Sequence, residues 1–354
     1  MKKFGKAILK LLVFFVVVII LYLGGVMLYG TLTDYNPKLI EKLNVKGKNL
    51  DTVINKNYLT LLTWNIGYAG LGKEMDFFYD GGKKVRPSLE QCKKYLKGIC
   101  SFVKSADTLD FMLLQEIDVN SRRSYFTNQI DSINKAIPSF DYIFAKNYDV
   151  RFVPVPYTEP MGKVDAGLIT FSKYKALEAT RFAFTANYSW PTRLFMLDRC
   201  FIFTKYHLQN NKYLIVINTH NEAFDDGSIR KAQMQVLKDK ILEEYSKGNY
   251  VIVGGDWNQN PVGFDMNTIL KDNKRIVEPP IEKDFLPLGW TWAFDPLCGT
   301  DRENIKNFVR GENKTTIIDF FALSPNIKLK LVKGIDLGFE YSDHQPVIMK
   351  IELL

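Results

Sequence analysis

The stretch VIVGGDWNQNP, Val251 to Pro261, decides how this sequence is read. An apolar run ends abruptly in two glycines, an aspartate, a tryptophan and an asparagine. The run has the length and β-branched content of a buried strand. Its glycines predict a tight turn of the backbone. Asp256 and Asn258, two apart on an extended chain, point the same way. Either they meet solvent where a strand runs out, or they belong to a site.

Other apolar runs end in the same manner. LLTWN ends in Asn65, FMLLQE in Glu116 and LIVINTH in His220, while TTIIDFF carries Asp319. The loop YSDHQP supplies Asp343 and His344 just before the final run, QPVIMKIEL. Each alone is an ordinary solvated strand end, turn former or helix cap. As a set they are harder to dismiss, because two of the chain's 3 histidines fall in these motifs. The ends of strands are where α/β sheets place ligands. Carboxylates, amides and imidazoles without a cysteine cluster form a hard, oxygen-rich set. That favours Mg²⁺, Mn²⁺ or Ca²⁺ over structural zinc.

The chain has 354 residues, 46% hydrophobic and 24% charged, enough to bury a sizeable core. Its net charge of +8 owes four charges to Lys2, Lys3, Lys6 and Lys10, so the remainder is only mildly basic. This fits an anionic substrate but lacks the clustered basic face of most nucleic-acid binders. Leu11 to Tyr29 carries no charge and approaches the roughly 20 residues of a membrane span. It exceeds the apolar core of a signal peptide, and no A-x-A cleavage site follows. Residues 1–30 are therefore expected to be a retained anchor, with the N-terminus cytoplasmic because lysines precede the span. Polar residues 31–57 read as a linker, and 58–354, lacking any convincing break, as one catalytic domain. Cys92 and Cys100 fall on one predicted helix, roughly 12 Å apart and too far to pair. A Cys200–Cys298 pair is left open.

Strands are predicted at YLTLLTWN, LDFMLLQEID, DAGLITFS, RCFIFTKYHL, KYLIVINTHN, YVIVGGDWN, TTIIDFFALS and QPVIMKIEL. Helices are predicted after Ser88, over NQIDSINKAI, and over GSIRKAQMQVLKDKILEEYSKGN. Interleaved strands and helices with at least one hairpin imply a layered α/β domain, sheets inside and helices outside.

TWNIG, LLQE, NTHN, GGDWNQNP, IDFF and SDHQPV, in this order, resemble the endonuclease/exonuclease/phosphatase superfamily, here in a membrane-anchored, bacterial-type form. The resemblance covers about residues 58 to 354. It implies a four-layer sandwich of two mixed β-sheets packed face to face with helices outside. It implies a divalent-metal-dependent hydrolase of phosphate esters. Asn65 and Glu116 would form the metal-site pair, Glu116 as direct ligand, with Asp343 a second carboxylate near the metal. Asp256 would orient or deprotonate the attacking water, and Asn258 would hold a phosphate oxygen. Asp319 would fix the tautomer of His344, and His220 would be the other active-site histidine. YTEPMGK resembles an EPLGR segment of the deoxyribonuclease branch, which would make Glu159 the partner of His220 and both imidazoles cationic.

The ester itself is less legible. Arg122 and Arg123 in NSRRS are candidate contacts to substrate, which leaves nucleic acid, nucleotide and phospholipid headgroup open. A sphingomyelinase-like phospholipase C is one alternative, although only NIKLKLVKGIDLGFEY separates IDFFALSP from SDH, too little for an aromatic hairpin. A tethered binding module without catalysis is another. No protein partner is implied, and a monomer is expected.

Overall fold

The computed structural model describes residues 2–49, 51–265 and 278–354. Two β-sheets are stacked on one another. The six-stranded sheet runs Ile327–Gly334, Val347–Leu353, Tyr58–Asn65, Phe111–Asp118, Gly162–Ser172, Asp141–Val153. The larger sheet runs Ile40–Lys42, Glu178–Ala183, Cys200–Leu208, Tyr213–His220, Tyr250–Asp256, Asp319–Leu323, Thr291–Ala293, with Val53–Ile54 paired onto Cys200–Leu208. Both sheets are mixed, and each holds one strand–helix–strand unit at its centre. Tyr58–Asn65 and Phe111–Asp118 are parallel neighbours joined through helix Leu89–Ser105. Tyr213–His220 and Tyr250–Asp256 are parallel neighbours joined through helix Ser228–Ser246.

The apolar pattern explains the layering. Leu59, Leu61 and Leu113 of one sheet pack with Val216, Ile252 and Phe321 of the other in a core between the sheets. Alternate residues face outward: Leu62, Trp64 and Met112 meet Tyr95, Ile99 and Val103 of the first helix. Phe203, Ile215 and Val251 meet Met234, Leu237 and Ile241 of the second. Ser88 caps the first helix as expected, accepting from the Gln91 amide while the Gln91 side chain accepts from the Ser88 amide. The sandwich expected from the sequence is the one observed.

Three readings change. The glycines of VIVGGD do not turn the chain, since the strand continues to Asp256. Gly254 leaves room instead, because a Cβ there would lie 2.5 Å from the Phe321 ring and 2.8 Å from Leu113 of the facing sheet. Gly255, at φ +153°, would place a Cβ 2.0 Å from the Thr219 carbonyl oxygen. Residues 31–57 are not a free linker, because Ile40–Lys42 and Val53–Ile54 add strands and Lys46 bridges to Tyr142. Backbone groups in this polar segment find partners along the sheet edge that composition does not reveal. Cys200 and Cys298 are both free thiols, as are Cys92 and Cys100.

Helix Lys2–Leu32 stands outside this body, and nearly all its apolar side chains are exposed. It is long and apolar enough to cross a membrane. Leu11 to Tyr29 covers roughly 28 Å at about 1.5 Å per residue, close to the thickness of a hydrocarbon core.

Gly255→Ala should cost at least about 3 kcal/mol, because strain and a backbone collision coincide. Urea unfolding of the detergent-solubilised chain checks this, and a midpoint equal to wild type would contradict it.

Candidate active site

Strand alternation delivers most of the site. Leu59, Leu61, Thr63 and Asn65 share one face, as do Val216, Asn218 and His220, and Ile252, Gly254 and Asp256. The apolar members of each row fill the core between the sheets, so the last member emerges at its upper rim. Just below that rim Gln115 donates across the sheets to Asn218 Oδ1 at 2.7 Å. In the larger sheet Asp256 sits in register between His220 and Asp319. Glu116 arrives differently. The pairing register shifts between Leu114 and Ile117, and Glu116 takes φ +57°, a conformation rare for a non-glycine residue. That bulge turns its carboxylate into the cleft.

Asn65 joins the two sheets. Its Nδ2 donates to Glu116 Oε1 at 3.2 Å and to Asp256 Oδ2 at 3.0 Å. Its Oδ1 accepts from the Gly67 amide at 2.9 Å. A backbone N–H can only donate, which fixes the amide's orientation. Asn65 therefore presents nitrogen, not oxygen, to the carboxylates. Within the expected metal-site pair Asn65 is thus the residue that orients the acids, and Glu116 keeps the place of direct ligand.

The SDH segment is anchored on three sides. Ser342 Oγ donates to the Asn65 carbonyl at 2.9 Å, Trp64 Nε1 donates to the His344 carbonyl at 3.0 Å, and Asp301 bridges to His344 through the backbone. Asn304 donates to Asp343 Oδ2 at 2.8 Å and to Asp80 Oδ2 at 3.0 Å. His344 Nδ1 lies 2.8 Å from Asp319 Oδ2, and its Nε2 lies 3.9 Å from Asp256 Oδ2 and 3.6 Å from Asp301 Oδ1. Burial opposes a charge on this ring, but Asp319, Asp256 and Asp301 outweigh it and hold His344 well above its ordinary pKa.

His220 is the opposite case. Its Nε2 lies 3.5 Å from Asp256 Oδ2 and 3.9 Å from Glu116 Oε1, but its buried Nδ1 has no partner among the described residues. Burial, with Arg199 and His344 nearby, holds it well below its ordinary value. The ring is neutral, and the carboxylates facing Nε2 place its proton there. The expectation of two imidazolium–carboxylate pairs is corrected to one. Glu159 does not partner His220. It is an exposed residue 3.7 Å from Arg86 and is not part of the cleft lining, although Met161 two residues on is.

Of the two arginines, Arg123 lines the cleft, but it is buried, holds Asp118 at 2.9 Å and stacks 3.7 Å from the centre of the Tyr68 ring. Arg122 donates to the Pro160 carbonyl at 2.8 Å and is absent from the cleft wall. Arg123 already has its charge met by Asp118, and Arg122 does not reach the cleft. Asn258 lines the cleft at φ +49°, its backbone N–H on Asp256 Oδ1 at 2.9 Å and its amide nitrogen on the Asn221 carbonyl at 2.9 Å.

The cleft encloses about 600 Å³. Asp80, Glu278, Asp301 and Asn304 line it and were not singled out from sequence. Asp80 ends a 3₁₀ turn, Asp301 opens a two-residue strand, and Glu278 and Asn304 lie in loops, so none belongs to a stretch long enough to show a periodicity. Burial, reinforced by neighbouring carboxylates, pushes Glu116 up, Asp80 to about 6, Glu278 to about 7 and Asp301 well above the carboxylate range. Crowded carboxylates raised in this way are relieved by a divalent cation, and the donors are hard oxygens. The tightest triad of potential ligand atoms among the described residues is Asp256, Asp319 and His344, within 4.8 Å of one another. His344 is bound to Asp319 and cationic, so this triad is a hydrogen-bonded chain rather than a cation cage.

In EDTA, NMR should find His344 protonated through pH 7 and His220 neutral well below its ordinary titration. Asp319→Asn removes the carboxylate that holds His344 up, so its titration should move to lower pH. An unchanged His344 titration would contradict the assignment.

The family model described as endonuclease/exonuclease/phosphatase matches residues 62–344. No curated protein matches the chain. Among solved structures, the endonuclease/exonuclease/phosphatase from Bacteroides vulgatus aligns over 84% of this chain and 100% of its own, at 19% identity and TM-score 0.52. D. rerio TDP2 complexed with single strand DNA product aligns over 83% and 99%, at 16% identity and TM-score 0.54. The human Nocturnin catalytic domain with bound sulfate aligns over 88% and 98%, at 15% identity and TM-score 0.51. At these identities the likeness is one of fold.

Proposed function

This chain belongs to the endonuclease/exonuclease/phosphatase family, and from that premise we propose that it is a divalent-metal-dependent hydrolase of phosphate esters tethered to a membrane. The observation that carries the reading is the convergence of His220 Nε2 and His344 Nε2 on Asp256 Oδ2, at 3.5 and 3.9 Å, beside an excess of carboxylates. Glu116 and Asp343 would hold the cation, with Asn65 and Asn304 orienting them. When bound, Mg²⁺ or Mn²⁺ neutralises charge building on the phosphate oxygens.

The protein's own groups do the rest. Asp256 accepts a hydrogen bond from the attacking water and orients it. The His344 imidazolium, with Asp319 behind it, donates to a phosphate oxygen. Asn258 keeps one amide hydrogen for the same group, and His220 donates from Nε2 to the acids. Water gives a hydroxyl to phosphorus, the bond to the leaving oxygen breaks with its electron pair, and that oxygen takes water's remaining proton. The site is completed within one chain, which is consistent with a monomer.

Helix Lys2–Leu32 is read as a single span, N-terminus in the cytoplasm and residues 31–354 outside, from the lysines that precede it. The sphingomyelinase-specific alternative gains no support from the segment before SDH, which forms edge strand Ile327–Gly334. A non-catalytic binding module would not need the His344–Asp319 pair at 2.8 Å.

With Mg²⁺ or Mn²⁺ the solubilised protein should hydrolyse bis-p-nitrophenyl phosphate, and EDTA should abolish this. Asp256→Ala or His344→Ala should lower turnover by at least about 100-fold. Near-wild-type turnover in either folded variant would contradict these roles. Plasmid DNA and sphingomyelin offered in parallel separate nuclease from lipid-headgroup activity.

A further inference from the structure

The cleft draws on an apolar cluster distinct from the inter-sheet core and from those under the helices. Leu71, Phe77, Tyr148 and Met161 belong to it, and Phe195 and Leu197 pack against it half-buried. Leu197 and Met161 reach the cleft wall, so the phosphate-ester site continues into a greasy compartment. On its rim Tyr79 and Phe224 lie 6.2 Å apart between ring centres, and they are 39% and 56% exposed. Exposed aromatic side chains lining a cleft are sites for an apolar ligand.

The same compartment adjoins the end of the membrane helix. A Cβ at Gly30 would lie 3.5 Å from Leu194 and 3.6 Å from the Phe195 ring. Trp190 Nε1 donates to Thr31 Oγ1 at 3.2 Å, and Arg193 pairs with Asp34 at 3.0 Å. Leu197 follows Phe195 by two residues, a span of at most roughly 7 Å along the chain, so the cleft wall is close to the helix end. A headgroup layer is about 5–8 Å thick on each side of the hydrocarbon. Exposed Trp190 and Tyr29, at this end of the helix, are the residue types that settle at that depth.

From this continuity we propose that the substrate is a membrane phospholipid. Its phosphate lies among Glu116, Asp256 and His344, and its acyl chains lie along Phe77, Met161 and Leu197 and against Tyr79 and Phe224. The inference rests on the phosphate-ester reading and names the ester. A nucleic acid would need free basic groups along its backbone. Arg123 in the cleft wall is already paired with Asp118, and Arg122 lies outside that wall.

The test uses the full-length protein in vesicles of phosphatidylcholine and phosphatidylglycerol with Mg²⁺. Bis-p-nitrophenyl phosphate and a single-stranded oligonucleotide are assayed beside the lipid. Mass spectrometry should find the paired products of phospholipid hydrolysis. Tyr79→Ser and Phe224→Ser should each lower phospholipid kcat/KM about tenfold, the scale of losing one buried apolar side chain. Hydrolysis of bis-p-nitrophenyl phosphate should fall by less, so the ratio of phospholipid to bis-p-nitrophenyl phosphate kcat/KM should drop at least about threefold. Cleavage of the oligonucleotide but not of the phospholipid would overturn the lipid assignment and leave the hydrolase reading standing. Unchanged phospholipid turnover in both variants would overturn the role of the aromatic rim. No turnover of any ester, bis-p-nitrophenyl phosphate included, would overturn the hydrolase reading and this proposal with it.

Discussion

One amide group holds the two halves of the site together. Asn65 donates from a single nitrogen to Glu116 of its own sheet and to Asp256 of the facing sheet. The Gly67 amide locks its orientation from behind. Two carboxylates sharing one donor, Asp256 buried and Glu116 part-buried, repel one another unless donors and cations compensate. Asn65 supplies the donor, and the protonated His344 supplies charge from the other side. The sandwich must therefore stack with Asn65 opposite Asp256, and a slip of one residue would turn one of them out of the rim.

That register is set well below the site. The apolar rows ending in Asn65, His220 and Asp256 pack as one core, with Gln115 and Asn218 bonded between the sheets just beneath the rim. Gly254 gives Phe321 and Leu113 the space to meet there. The helix-linked parallel pair of each sheet brings the ends of four strands to one edge. Helices cover the outer faces, so the edge is the open surface left for chemistry.

This also explains what sequence could reveal. Asn65, His220, Asp256 and Asp319 end or begin apolar runs, and period-two alternation places them without further information. Glu116 is legible as a strand-end acid, but its bulge at φ +57° is not. Asp301, Asn304 and Asp80 lie in a two-residue strand, a loop and a single 3₁₀ turn, and their positions depend on the network around Asp343 and His344, far away in sequence for Asp80. Glu159 failed for the complementary reason. A short local likeness carried it toward His220, whereas the loop's own packing pairs it with Arg86. The strands in residues 31–57 were hidden because edge pairing uses backbone groups and asks little of side chains.

A cleft crowded with acids, with Glu116 and Asp343 at its head, is suited to a divalent cation. Calorimetric titration of the metal-free protein with Mn²⁺ tests it most directly. Wild type should bind with a saturable heat, and Glu116→Gln, which keeps the shape but removes the charge, should weaken binding by at least about tenfold. Equal affinity in the two proteins, with the variant folded, would contradict the account.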